Sequence, residues 1–133
     1  MRVSYILILL LLLTACDEHF ERDELYGYYA PALYNNTFDT IQLRPDSMYH
    51  RKLYDKNNKL VLEINGKWWI ERNNIIRFNS FFLNLDRDVT KFPNLLEDTS
   101  SNGGGMLETR NGVIGFCVGY FAKIDTNCYR KIK

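Results

Sequence analysis

The chain has 133 residues and a mass of 15.7 kDa, room for one domain. It carries 17 Lys and Arg against 16 Asp and Glu, a formal net charge of +1. So balanced a chain offers no global field to draw in nucleic acid or an anionic surface, and a nucleic-acid partner is disfavoured.

The first element is an export signal. Met1-Arg2 precedes an apolar run from Tyr5 to Leu13, followed by the small residues Thr14-Ala15. Its Ile and Leu core is far shorter than the roughly 20 apolar residues that span a bilayer. It has the proportions of a cleavable secretory signal, so residues 1–15 stay out of the fold. Cleavage removes one basic residue, Arg2, and leaves sixteen basic residues facing sixteen acidic ones.

Leu13-Thr14-Ala15-Cys16 resembles the bacterial lipobox. The resemblance implies diacylglycerol on the Cys16 thiol, cleavage just before it, and a membrane partner held through that lipid. Two or three acyl chains, at about 0.8 kcal/mol per buried methylene, anchor a protein stably where one does not. Residues 17–24, Asp-Glu-His-Phe-Glu-Arg-Asp-Glu, are charged and lack apolar periodicity, so residues 16–24 read as a lipid anchor and solvated tether. Acidic residues at this place resemble two bacterial sorting signals, one for inner-membrane retention in enterobacteria and one for surface export in the Bacteroidetes. The implied location is the bacterial cell envelope, on either membrane and either face.

Residues 25–133 read as one β domain. Aromatic and branched residues recur in short runs at Leu25–Ala30, Thr40–Leu43, Met48–Tyr54, Leu60–Ile64, Lys67–Glu71, Ile75–Leu83, Leu107–Arg110, Val113–Phe121 and Thr126–Ile132. Turn residues separate them: Pro45-Asp46, Lys56-Asn57-Asn58, Asn65-Gly66, Asn73-Asn74 and Asn111-Gly112. Asn-Gly is the strongest of these signals, because a type I′ turn needs positive φ at both central residues.

If Asn65-Gly66 and Asn73-Asn74 are both two-residue loops, Leu62 faces Trp69 and Trp69 faces Phe78. Cross-strand partners share a face, so Leu62, Trp69 and Phe78 are expected to form one apolar layer, as core or as cavity lining. Trp68 is then expected on the outer face as an interface anchor; a slip of one residue exchanges the two tryptophans.

Residues 86–106 interrupt the pattern. Glu97 to Gly105 is polar and glycine-rich, and Phe92, Leu95 and Leu96 suit a short helical turn capping the sheet. Gly103-Gly104-Gly105 is not a phosphate-binding loop, since no Lys-Ser/Thr and no helix start follow it. A mobile loop is expected there.

Ten residues lie between Cys117 and Cys128, a spacing that suits two arms of one hairpin. In an oxidising envelope a disulfide is favoured over two buried thiols.

Chemistry-bearing residues are scarce. His19 falls in the tether and His50 stands alone on a strand, so no zinc set forms and no metal or cofactor is expected. No Gly-x-Ser-x-Gly elbow and no Cys–His pair with an orienting third group occurs. Glu63, Glu71 and Asp86 could pair as carboxylates, but charged strand residues ordinarily face solvent. The chain is not expected to be an enzyme. Tyr26, Tyr28, Tyr29, Tyr34, Tyr49, Tyr54, Tyr120 and Tyr129 suit either a ligand cavity or the fill of a small barrel, and the second is favoured.

Eight or nine short antiparallel strands suggest an all-β, closed up-and-down barrel, which removes exposed sheet edges. Gly27-Tyr28-Tyr29 in the first strand, Arg130 in the last, and Gly66-Lys67-Trp68 at mid-chain are similar to features of lipocalin-like envelope lipoproteins. In lipocalins a first-strand Gly-x-Trp packs on a last-strand arginine at the closed end; tyrosine replaces that tryptophan here. Asp39-Thr40-Ile41 and Asp46-Ser47-Met48 resemble Bacteroidetes O-glycosylation acceptors. The expected function is binding of a small apolar or amphipathic ligand. The alternative is an interaction module for an envelope protein: an assembly factor, inhibitor or immunity protein.

Overall fold

The computed structural model describes residues 18–31, 37–72, 74–81, 102–118 and 128–133. Residues 1–15, Cys16, Tyr34, Asp86, Phe92, Leu95, Leu96 and Tyr120 lie outside that set. A short 3-10 turn, Asp23–Leu25, leads into eight strands: β1 (Gly27–Pro31), β2 (Thr37–Leu43), β3 (Met48–Asp55), β4 (Leu60–Glu71), β5 (Ile75–Phe78), β6 (Gly103–Arg110), β7 (Val113–Val118) and β8 (Cys128–Lys131). Each pairs antiparallel with the next, and β8 returns to β1, so the sheet closes as an up-and-down barrel. The lipocalin-like barrel expected from the strand count is the fold.

An up-and-down order sorts the connections by end. Residues 44–47, 72–74 and 111–112 join strands at the end that also holds the 3-10 turn and residues 132–133. The strand ends at Pro31, Thr37, Asp55, Leu60, Phe78, Gly103, Val118 and Cys128 all open toward the opposite end. We refer to these as the closed and open ends.

Three local readings are corrected. Asn65-Gly66 is not a turn: β4 runs unbroken through it, with His50 opposite Asn65 and Tyr49 opposite Gly66. Glycine serves there by lacking a side chain, since a Cβ at residue 66 would lie 2.4 Å from Tyr49 Cε1. The same dipeptide at Asn111-Gly112 does turn, with φ of 53° and 75°.

The second correction is the register across β4 and β5. Glu71 pairs with Ile75, so the connection has three positions, with Asn74 at φ 58°, rather than two. Trp68 therefore faces Phe78, while Trp69 faces Arg77. This one-residue slip exchanges the tryptophans: Trp68 is 1% exposed and Trp69 38%. Alternation along β4 buries Leu62, Ile64, Gly66 and Trp68 on one face.

Third, Gly103-Gly104-Gly105 is strand, not loop. It opens β6, with Gly103 opposite Phe78 and Gly105 opposite Ile76. The space beside Gly103 is taken by an aromatic ring, since a Cβ there would lie 2.8 Å from Phe81, while Gly104 admits the Arg77 side chain and Gly105 the backbone of Cys117. Small residues facing large ones across a tapering interior are how narrow barrels fill.

The remaining boundary differences are smaller. The run Ile75–Leu83 yields a strand only to Phe78, and the expected strand over residues 113–121 is strand through Val118.

Candidate functional site

The interior is built from side chains that alternate inward along all eight strands. Trp68, Tyr29, Tyr49, Phe78, Phe81 and Phe116 are the largest fully buried apolar ones. Their rings touch in sequence: Tyr29 to Phe116 at 5.2 Å, Phe116 to Phe78 at 5.4 Å, Phe78 to Phe81 at 4.9 Å and Phe78 to Tyr49 at 5.2 Å between centroids. These separations suit edge and tilted aromatic packing. Tyrosine hydroxyls in this core find carbonyls. Tyr29 donates to Leu25 O at 2.9 Å, and Tyr49 donates toward Asn79 O and Ser80 O at 2.9 and 3.0 Å. Burial pushes the Tyr29 hydroxyl well above the usual phenol range and Tyr49 up to about 12.

Among these rings lies one charged pair. Arg51 Nε and Nη2 donate to the two carboxylate oxygens of Asp39, and Tyr129 Oη donates to Asp39 Oδ2 at 2.8 Å. The guanidinium also stacks 4.6 Å from the Phe81 ring centre. Strand alternation sets this up: Ile41 faces Arg51 and Asp39 faces Leu53, all inward. The pair was not legible in the sequence, where Asp39 stood only in a glycosylation-like triplet. The one signal was a period-2 position in a run whose neighbours alternate apolar.

The outer wall of β1–β4 is polar. Tyr28 faces Gln42, Gln42 faces His50 and His50 faces Asn65 in one row, with Thr40, Lys52 and Glu63 in the next. Tyr28, Thr40, Gln42, His50 and Lys52 line a shallow depression of about 140 Å³. His50 Nε2 lies 2.7 Å from Glu63 Oε1, and Lys52 Nζ 3.5 Å from it. The His50 hydrogen bond, then the Lys52 charge, hold the Glu63 carboxyl below its ordinary range. His50 is thus a half-buried strand residue of the outer wall that shares the Glu63 carboxylate with Lys52.

The wall of β4–β6 carries the other tryptophan. Trp69 Nε1 points toward Glu71 Oε1 at 3.4 Å, and Arg77 Nε donates to Glu71 Oε2 at 2.9 Å. That Arg77 hydrogen bond is the main reason Glu71 is held below the ordinary carboxyl range. Met106, 64% exposed, faces Ile75 beside them. Trp69, not Trp68, is the exposed indole.

Within the expected charged tether the described charged side chains are exposed, while the segment touches the closed end through a few residues. Phe20 and Leu25 are buried, and Tyr26 meets Trp68 edge-on at 6.1 Å. Arg22 stacks 4.9 Å above the Trp68 ring and donates to Ser47 Oγ. Asn74 Nδ2 donates to Glu18 O, and Thr109 N donates to Glu18 Oε2 at 3.2 Å. Two apolar residues in a polar run, Phe20 and Leu25, were the legible clue. A tryptophan–arginine pair does sit at the closed end, but Trp68 of β4 and Arg22 before the 3-10 turn supply it, while Arg130 of β8 lies opposite Ala30 of β1.

Of the remaining candidate residues, Leu62 and Phe78 face the interior. Cys117 and Cys128 stand directly opposite on β7 and β8 and are joined, with S–S 2.00 Å. Cys16 lies outside the described residues. Among the described residues, no group of three or more His, Cys, Asp or Glu gathers as a metal site. Comparison with family models, with curated proteins and with solved structures finds no match.

Proposed function

We propose that this protein is an exported lipoprotein of the bacterial envelope, acylated at Cys16, whose barrel is a non-enzymatic interaction module working through its outer surface. The supporting observation is that, among the described residues, the barrel interior is occupied by side chains of its own strands. Trp68, Tyr29, Tyr49, Phe78, Phe81, Phe116 and the Arg51–Asp39 pair take up the space that a calyx would offer a guest. Where the described interior is filled in this way, the outer surface is the part of the barrel left for recognition.

The polar wall of β1–β4 has the chemistry for a protein partner: an exposed phenol at Tyr28, an amide at Gln42, and both charge signs at Lys52 and Glu63. Mixed donors and acceptors around one aromatic ring suit a peptide surface. The test is photo-crosslinking in native envelopes from a probe at residue 42. One envelope protein captured there, and lost with Tyr28→Ala, supports the reading; capture equal to that from a probe at residue 106 overturns it. Fatty-acid labelling that disappears with Cys16→Ser tests the anchor separately.

Binding of a small amphipathic ligand is the second reading, and one observation favours it. The Asp39–Arg51–Tyr129 cluster sets ionic groups among aromatic rings, a combination that recognises a polar head on an apolar body. A thermal-shift screen of the soluble domain against lipids and hydrophobic acids tests it. Stabilisation lost in the Asp39→Leu, Arg51→Met double variant supports it, and no shift with any compound removes it.

A further inference from the structure

We infer that the β4–β5 and β6–β7 connections at the closed end rest directly on the phospholipid headgroups of the membrane to which Cys16 is attached. The inference rests on the acylation proposed above and adds to it the face by which the barrel meets the bilayer.

The argument is one of reach. A free tether over residues 17–24 would let the barrel wander by up to about 29 Å at roughly 3.6 Å per residue. The structure shortens that reach, because Glu18 accepts from Asn74 Nδ2 at its carbonyl and from Thr109 N at its carboxylate. Phe20 and Leu25, buried a few residues on, keep the segment seated. Only Asp17 separates Glu18 from Cys16. The acylated residue therefore lies within about 7 Å of Glu18. The headgroup layer on each side of the roughly 30 Å hydrocarbon core is about 5–8 Å deep. A lipid on Cys16 draws Asn74 and Thr109 into that layer.

The side chains around this point suit it. Arg72 on the β4–β5 connection and Arg110 at the end of β6 are exposed, the second also bonded to Glu108 at 2.9 Å. Val113, 38% exposed, opens β7 directly opposite Arg110, and Met106 stands farther up the wall opposite Ile75. The acids of this quarter are already engaged, Glu71 by Arg77, Glu108 by Arg110 and Glu18 by Thr109 N. Arginines at phosphate level with apolar side chains beside them match a bilayer interface. The open end and its connections then face away from the membrane.

The test uses the full-length acylated protein in vesicles of phosphatidylcholine and phosphatidylglycerol. The vesicles include phosphatidylcholine with a nitroxide on its headgroup. In a Trp69→Phe background, whose own Trp68 emission and quenching are measured and subtracted, a reporter is placed at the closed end by Val113→Trp, or by Arg110→Trp should the first fail to fold. Another is placed at the open end by Leu60→Trp. Quenching several-fold stronger at the closed end is expected. A flexible Gly-Ser insertion between Asp17 and Glu18 is expected to bring it down to the open-end value while the protein still floats with vesicles. Equal quenching at both ends in floating protein overturns the inference alone. Protein that neither floats nor takes up a fatty-acid label overturns it together with the acylation.

Discussion

Arg51 and Asp39 form a two-pronged ion pair inside an aromatic core, Nε to Oδ1 at 2.9 Å and Nη2 to Oδ2 at 2.5 Å, with neither side chain more than 1% exposed. Breaking a buried pair strands an uncompensated charge, at a cost of about 3–5 kcal/mol. Asp39→Asn is expected to lower unfolding free energy by that order in urea titration. Asp39→Leu combined with Arg51→Met is expected to recover much of the loss. A double variant no more stable than the single one would contradict this account.

The two tryptophans give a cleaner contrast. Trp68→Ala empties a fully buried site and is expected to cost about 3–5 kcal/mol. Trp69→Ala removes a partly exposed ring and is expected to cost about 1 kcal/mol or less. Denaturant melts of both variants check the register, and reversed magnitudes would restore the slipped alignment.

Tyr49 links stability to alkaline pH. Its hydroxyl serves the carbonyls of Asn79 and Ser80, so Tyr49→Phe is expected to cost about 1–3 kcal/mol at neutral pH. A hydroxyl raised from 10.0 to about 12 by folding contributes stability that is complete below pH 10 and lost as pH climbs toward 12. The wild-type advantage over Tyr49→Phe is therefore expected to shrink across that window. Urea titrations at stepped pH, with tyrosinate absorbance as a second readout, check it.

Glu63 has the opposite sign. Its carboxyl is held below the ordinary value of 4.5 by His50 and Lys52, so its contribution is present above that value and fades as pH falls through the lowered one. The difference in melting temperature between wild type and Glu63→Gln is expected to be open at neutral pH and to close in acid. A pH-independent difference would mean the His50 contact carries none of it.

Cys117 and Cys128 close a loop of about ten residues, and such a cross-link removes roughly 3 kcal/mol of unfolded-chain entropy. Cys117→Ala with Cys128→Ala is expected to lower stability by up to that amount. Reduction of the wild type by dithiothreitol is expected to match it in the same melt.

The barrel was legible because strand alternation and turn residues are local properties. Even Asn111-Gly112 behaves as its dipeptide suggests. Asn65-Gly66 does not, because the space beside Gly66 is claimed by the ring of Tyr49 from the neighbouring strand, a contact no local pattern announces. That single misreading, with one extra position at residues 72–74, was enough to turn the wrong tryptophan inward. The Asp39–Arg51–Tyr129 cluster was hidden for a different reason. Its members come from β2, β3 and β8, and each charge alone reads as a solvent-facing strand residue. Residues 18–25 were obscured by composition, since six charged or imidazole side chains outweigh the two apolar ones that do the packing.

The seam between β1 and β8 sets a schedule for folding. Tyr29 must find Lys131 and Pro31 must find Tyr129, partners about a hundred residues apart in the sequence. During synthesis the outer edge of β1 stays unpaired until β8 has been made, a contact of the long-range kind that slows folding and invites pairing with other chains. Loss of β8 would leave two raw edges, on β1 and β7, rather than a shorter barrel. Aggregation, more than loss of any surface, is the expected fate of such a truncated product.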